Sequence, residues 1–274
     1  EEVDWRRIFV ILGVTGIGLA VVVKLVLREP VRGAMEFDST ANVVQPPFME
    51  SLVTLLKIPS WWWMCFGIAF GSFVSYSFSA WQTKYLLLLN PDYNFQTLLI
   101  ILGIINGTTY AGGTFLGARL ADKWGAKNIR VYGWLPAVAI SLCLPIGIAS
   151  FWVPSIDAHL ILTTLFLLFM GMYLGPSFAI AQTLAPINQR AMSTALFFFI
   201  LNFVALGGGP TITGWMIDLF KESNADLEST RYALTVTCLM FVPSVISFLV
   251  VARVLPKDWA AAEERNLELA KGGE

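Results

Sequence analysis

Charge is scarce in this sequence. Of 274 residues only 14% are Asp, Glu, Lys or Arg, 56% are hydrophobic, and the formal net charge is −1. Soluble globular chains are typically about a quarter charged, so an ordinary water-soluble enzyme is excluded. No basic excess is available to build the patch that a nucleic-acid binder needs, so nucleic acid is not an expected partner. The three cysteines, Cys65, Cys143 and Cys238, lack CxxC spacing and lie inside apolar runs. They read as small core hydrophobes, not as a disulfide frame or a zinc site. There is no HExxH segment, no paired carboxylate inside an apolar run and no Ser-His-Asp set on one side. The single histidine, His159, stands at the outer end of an apolar run and reads as an interfacial residue. Neither an enzyme activity nor a cofactor nor a metal is expected.

Long apolar runs are abundant, and the mean hydropathy is +0.68. A bilayer core of about 30 Å is crossed by about 20 mostly apolar residues in a helix. Seven stretches qualify: Ile8–Leu27, Trp61–Trp81, Phe95–Gly117, Val131–Val153, His159–Gln182, Ala191–Ile217 and Tyr232–Val254. Lipid leaves no partner for a free backbone group, so runs this long must be helical. The apolar–polar alternation of barrel strands is missing. The fold is therefore read as an all-α membrane protein with seven transmembrane helices. No small-x-small cleavage site follows the first run, which argues against a signal peptide. The chain begins at Glu1 and enters a span almost at once, which reads as a cut edge.

Lys and Arg divide unevenly between the two sides. Thirteen, among them Lys24, Lys57, Arg119, Lys123, Lys127, Arg130, Arg190, Arg253 and Lys257, fall on one side; Arg6, Arg7, Lys84, Lys221 and Arg231 fall on the other. The richer side is expected to be cytoplasmic, with the N-terminus outside and the C-terminal tail inside. The longest polar interval follows Arg28-Glu29-Pro30 and carries Pro46-Pro47. It separates one helix (1–30) from a block of six (61–254), leaving 31–60 as a linker and 255–274 as a tail. Within it, Phe48, Leu52, Leu55 and Leu56 repeat at helical spacing, which fits an amphipathic helix on the membrane surface or an apolar linker.

Inside the six-span block, Gly67/Gly71, Gly103/Gly107, Gly113/Gly117 and Gly171/Gly175 are spaced i, i+4. Such pairs let backbones approach closely in lipid. Gly175-Pro176 and Gly207-Gly208-Gly209-Pro210 go further, because proline removes a helix hydrogen bond and glycine tolerates the bend. Gly175, Pro176, Gly209 and Pro210 are thus the expected helix-bending residues, and irregular helices tend to border substrate paths. No charge lies at the centre of the last six spans; neutral polar and aromatic groups stand there instead. Tyr76, Asn106, Tyr110, Tyr173, Gln182 and Asn202 are candidates for lining a cavity, with interhelical hydrogen bonding as the alternative for each. With Phe197–Phe199 nearby, the set suits an amphiphilic or lipid-like ligand better than a sugar or an ion.

The sharpest local signal is the short loop Ala118-Arg119-Leu120-Ala121-Asp122-Lys123-Trp124-Gly125-Ala126-Lys127. It resembles the loop motif of the major facilitator superfamily, G-x-L-x-D-[RK]-x-G-[RK]-[RK]. Leu120, Asp122, Lys123, Gly125 and Lys127 match, Ala118 replaces the first Gly, and Ala126 replaces a basic residue. The resemblance extends along the chain. The first helix looks like the sixth of that fold, residues 31–60 like its central loop, and the remaining spans like helices seven to twelve. Gly175-Pro176-Ser177-Phe178-Ala179, Gln182, Pro186 and Arg190-Ala191, with Asn202, Gly207-x-Gly209-Pro210, Gly214 and Asp218, are similar to spinster-like transporters. The resemblance implies alternating-access transport of lysophospholipids or sphingoid lipids, often proton-linked. It makes Asp122, Lys123, Gly125 and Lys127 a gate loop, which Arg190, at the cytoplasmic start of the sixth span, is expected to join, and makes a missing N-terminal half the supplier of coupling residues. Membrane lipids and a small amphiphilic substrate are the expected partners, and a bacterial inner membrane is the expected setting. A seven-helix receptor or photoreceptor agrees equally with the span count. Against a retinal protein, Tyr232–Val254 contains no lysine.

Overall fold

The computed structural model describes residues 5–27 and 46–271. Arg28-Glu29-Pro30, read above as the close of the first helix, and the linker as far as Gln45 lie outside the described residues. The described chain is helical throughout its regular structure: α1 (Trp5–Val26), α2 (Phe48–Leu56), α3 (Pro59–Leu89), α4 (Phe95–Ile105), α5 (Ala111–Gly125), α6 (Val131–Trp152), α7 (Ile156–Gly171), α8 (Leu174–Thr183), α9 (Arg190–Leu201), α10 (Gly209–Lys221), α11 (Asp226–Cys238) and α12 (Phe241–Lys271). Four of the expected spans are interrupted pairs, the last of them broken at Leu239 and Met240 between α11 and α12. A π-helical turn, Asn106–Tyr110, joins α4 to α5, and a π-helical stretch, Asn202–Gly208, joins α9 to α10. A break at Met172 and Tyr173 separates α7 from α8. Counted through these joints, seven helical segments are long and apolar enough to cross a membrane.

The chain divides into two units. In the first, α1 carries exposed apolar side chains along its length, from Phe9 at 68% to Leu25 at 80%.

The second unit runs from Val44 to Leu267 and holds a single large apolar core. Its central member is α3, which packs against α8, α9, α10, α11 and the π-helical stretch. Local chemistry sets several helix starts. Pro59 opens α3 where its missing N–H costs nothing. The Asn94 side chain accepts from Thr97 N–H at 2.9 Å to cap α4, and Ser155 accepts from Ala158 N–H at 3.2 Å to cap α7. On the outside, Phe95, Ile100, Phe115, Trp134, Ile161, Phe203 and Trp215 remain exposed, the side chains a bilayer would solvate.

Several helices outrun their apolar stretches. The expected second span ends at Trp81, yet α3 continues to Leu89, about two turns further. Tyr85 explains this: it is fully buried and donates its hydroxyl to the Phe151 carbonyl at 2.6 Å. The last helix runs on to Lys271, and Leu255 and Ala262 of this stretch are buried. Asp258 accepts the backbone N–H of Ser60 at 2.8 Å, and Arg265 donates to the Leu184 carbonyl at 2.7 Å. α12 therefore closes the N-terminus of α3 and the C-terminus of α8, each with the charge its dipole favours. Helix α2 turns Ser51 and Leu55 inward while Phe48, Met49, Val53 and Leu56 stay exposed. The three cysteines are free and buried.

Candidate functional site

The glycine pairs separate into packed and open ones. A Cβ on Gly113 would strike the Leu168 backbone, one on Gly117 the Met172 backbone, and one on Gly171 the Tyr110 carbonyl, while Gly175 faces Ala118. Gly113/Gly117 and Gly171/Gly175 thus form one reciprocal crossing that brings α5 onto α7 and α8 at backbone contact. Gly67 and Gly71 abut Phe248 and Ser244. Around Gly103 and Gly107 there is open space.

The helix breaks have separate local causes. Pro176 and Pro210 each lie in the first turn of a new helix, α8 and α10. Each clashes with the carbonyl four residues earlier, at Met172 and Leu206, which is where the α-helical ladder is interrupted. Gly209 lets α10 approach the Phe73 carbonyl of α3 to 2.6 Å from where a Cβ would stand. The turn Asn106–Tyr110 has no proline. There Asn106 donates to Leu102 at 2.9 Å, Thr108 to Ile104 at 2.7 Å and Thr114 to Tyr110 at 2.9 Å, all to backbone carbonyls four residues back. Such side-chain competition for carbonyls bends and loosens helices. The run Asn106-Gly107-Thr108-Thr109, poor in helix formers, was the available signal.

These irregular segments border one half-open cavity of about 620 Å³. α3 contributes Ser72, Ser75, Tyr76, Ser79 and Gln82, and the π-helical turn contributes Asn106, Gly107 and Tyr110. Phe78, Leu167, Leu174, Phe178, Phe198 and Leu201 make its apolar share. Polar residues come mainly from α3 and the turn, apolar ones mainly from α7, α8 and α9. Most of these residues lie near the middle of their membrane-length segments, with Gln82 and Phe178 nearer an end. No lining residue is charged, and among the described residues no cluster could hold a metal ion.

Of the six candidates from the sequence, Tyr76, Asn106 and Tyr110 line this cavity together. Tyr173 stands behind it, fully buried, its hydroxyl 2.8 Å from Ser72 Oγ. Gln182 is exposed near the end of α8, away from the cavity lining. Asn202 spends its amide on the Phe198 carbonyl at 2.8 Å, outside the lining as well.

Gln82 escaped notice because it lies one residue past the expected end of its span. It is 3% exposed, and its Nε2 donates to His159 Nε2 at 3.2 Å and to Thr163 Oγ1 at 3.1 Å. His159 is not interfacial. It is fully buried, with Nδ1 at 2.6 Å from the Ser150 carbonyl and the rings of Phe78, Tyr85 and Phe151 around it. It lies in the first turn of α7, which suggests an interface, but α7 packs against α3 and α6.

In the loop motif, Asp122 ends up exposed in the last turns of α5 and accepts the Tyr132 hydroxyl at 3.0 Å. Gly125 makes that contact possible, since a Cβ there would meet the Tyr132 ring. Lys123 and Lys127 are exposed beside it, and Arg190 is exposed at the start of α9. Among the described residues, none of these cations forms an ion pair with Asp122.

Comparison with known proteins fits this architecture. The family model of the Major Facilitator Superfamily matches residues 1–210. An MFS-type efflux pump of Mycolicibacterium smegmatis is 26% identical over 254 residues, covering 92% of this chain and 58% of that protein. Protein spinster homolog 1 of Xenopus tropicalis is 24% identical over 274 residues, covering 90% and 51%. The chain thus spans little more than half the length of these relatives. A crystal structure of a bacterial homolog to the human lysosomal transporter Spinster, inward-facing and unoccupied, superimposes with a TM-score of 0.72 at 23% identity, covering 93% of this chain and 60% of that one. The receptor alternative finds no support in these similarities. With seven membrane-length helices, the last six in one block, this chain is an integral, multi-pass member of the Major Facilitator Superfamily.

Proposed function

We propose that these helices form one wall of the transport path of a secondary transporter that works by alternating access on an amphiphilic, lipid-like substrate. The observation that carries this reading is the mid-depth cavity, polar along α3 and the Asn106–Tyr110 turn and apolar along α7 to α9. A molecule with a polar head and a hydrocarbon tail satisfies both surfaces at once, whereas a sugar leaves the apolar share unused. Three interrupted helices bordering the cavity supply the places where a bundle can flex, as in other transporters.

The cavity is open on one side, and a second bundle of the same transporter is the wall that closes it. Its lining carries no ionisable carboxylate or lysine, so any proton coupling is supplied by groups of that other bundle. The setting is a cell membrane, which the seven membrane-length helices support. The end of the bundle bearing Asp122, Arg190 and Lys257 lies in the cytoplasm, following the excess of Lys and Arg there. Asp122, with Lys123, Gly125, Lys127 and Arg190, serves as the gate at that end.

The test is flux through proteoliposomes. The full transporter moves a fluorescent single-tailed lipid, and the seven-helix chain reconstituted by itself leaves flux at background. Equal flux by the isolated chain overturns the two-wall reading. Transport of sugars with no effect of amphiphiles overturns the substrate class.

A further inference from the structure

We propose that Gln82 presents its side-chain carbonyl oxygen to the cavity as a hydrogen-bond acceptor, held in that orientation by His159, and that the site therefore selects amphiphiles whose head group carries an N–H or O–H donor. The inference rests on the amphiphile cavity proposed above and assigns the chemistry at its inner wall.

The argument runs along a chain of obligatory donors and acceptors. The Ser150 carbonyl can only accept, so His159 Nδ1, 2.6 Å from it, carries a proton. The imidazole is enclosed by Phe78, Tyr85 and Phe151, and among the described residues no carboxylate is paired with it to balance a second proton. Its Nε2 therefore offers a lone pair. The group 3.2 Å away must donate, which makes it the NH2 of Gln82 and not its oxygen. The second hydrogen of that NH2 points to Thr163 Oγ1 at 3.1 Å.

Both amide hydrogens are thus used inside the bundle. The oxygen Oε1 accepts nothing from the described residues, yet it is absent from the buried side-chain atoms left without a partner. Gln82 is 3% exposed and lines the cavity, so what accessible surface it has is cavity surface. A tautomer fixed by one backbone carbonyl is relayed through an amide to fix the polarity of a binding wall. His159 is a positioning residue in this arrangement and Gln82 the specificity-determining one.

The experiment uses a matched pair of uncharged probes, N-methyldodecanamide, which has one N–H, and N,N-dimethyldodecanamide, which has none. Each is titrated calorimetrically into the full chain in lipid nanodiscs, with empty nanodiscs as the blank. The N-methyl amide is expected to bind about tenfold more tightly, the scale of one buried hydrogen bond. Gln82→Leu is expected to bind both alike. Equal binding by the unsubstituted protein, or a preference that survives Gln82→Leu, overturns the assignment of Gln82 while leaving the amphiphile cavity standing. Failure of both amides to bind overturns the cavity reading and this inference with it. A second measurement needs no variant and no ligand. The chain has one histidine, so 15N-histidine labelling yields a single imidazole whose protonated and bare nitrogens are distinguished by NMR. Protonated Nδ1 with bare Nε2 supports the arrangement; the opposite tautomer overturns it.

Discussion

Asp258 of α12 accepts the backbone N–H of Ser60, in the first turn of α3, at 2.8 Å and across 198 residues of sequence. The first four N–H groups of a helix have no partner within it, and a carboxylate placed there satisfies one and complements the positive end of the dipole. Asp258→Ala is expected to lower stability by about 1–2 kcal/mol, read as a drop in the thermal unfolding midpoint of the purified protein. Asp258→Asn keeps an acceptor and should lose less than half of that. Equal midpoints for all three proteins would show that the contact is not holding the helices.

At the same end of the bundle, the Tyr132–Asp122 bond makes a prediction about movement and not about folding. Asp122→Asn should slow exchange between open and closed states of the full transporter while its unfolding midpoint stays close to that of the parent. Tyr132→Phe removes the hydroxyl alone and should act in the same direction. Single-molecule distance measurements across the bundles, combined with flux, separate the two effects. Unchanged transport by Asp122→Asn rules out the gate role.

The glycine pairs provide an internal control. Gly113→Leu or Gly171→Leu inserts a side chain where backbones already touch, and should cost at least about 2 kcal/mol or prevent folding. Gly103→Leu adds a side chain to open space and should express and unfold like the parent. Size-exclusion profiles and thermal midpoints of the three variants check the ranking.

Among the polar candidates, transport should follow the cavity and not the residue type. Tyr110→Phe and Asn106→Leu remove polar groups from the lining and should reduce flux by roughly tenfold, on the scale of one buried hydrogen bond. Gln182→Leu and Asn202→Leu lie outside it and should change flux less than about twofold. The reverse pattern would mean that the substrate passes elsewhere.

How much of this could be read from residues alone differs between fold and site. Length and polarity of the apolar runs indicate seven helices, since a spanning segment of this kind has no other way to pair its backbone. Pro176 and Pro210 mark two of the four interruptions, because a proline acts on a carbonyl four residues away and that distance is visible in the sequence. The one at Asn106–Tyr110 depends on several small polar residues acting together, and no single residue marks it. Tyr76, Asn106 and Tyr110 were identified for the cavity, but by the same criteria as Gln182 and Asn202, which do not belong to it.

Composition, hydropathy and the placement of Lys and Arg are properties of neighbouring residues, and they were sufficient for an all-α chain of seven spans and for the family loop at Asp122. They could not say which glycine pairs are packed, because Gly103/Gly107 and Gly113/Gly117 have the same spacing and differ only in whether another helix lies against them. Nor could they place His159 in the core, reveal Gln82 as its partner 77 residues away, or set Asp258 on the start of α3. Lipid is as apolar as the bundle interior, so hydrophobicity does not distinguish an outward face from an inward one. That distinction comes from backbone contact and from pairing buried polar groups, and both depend on helices that are distant in sequence meeting in space.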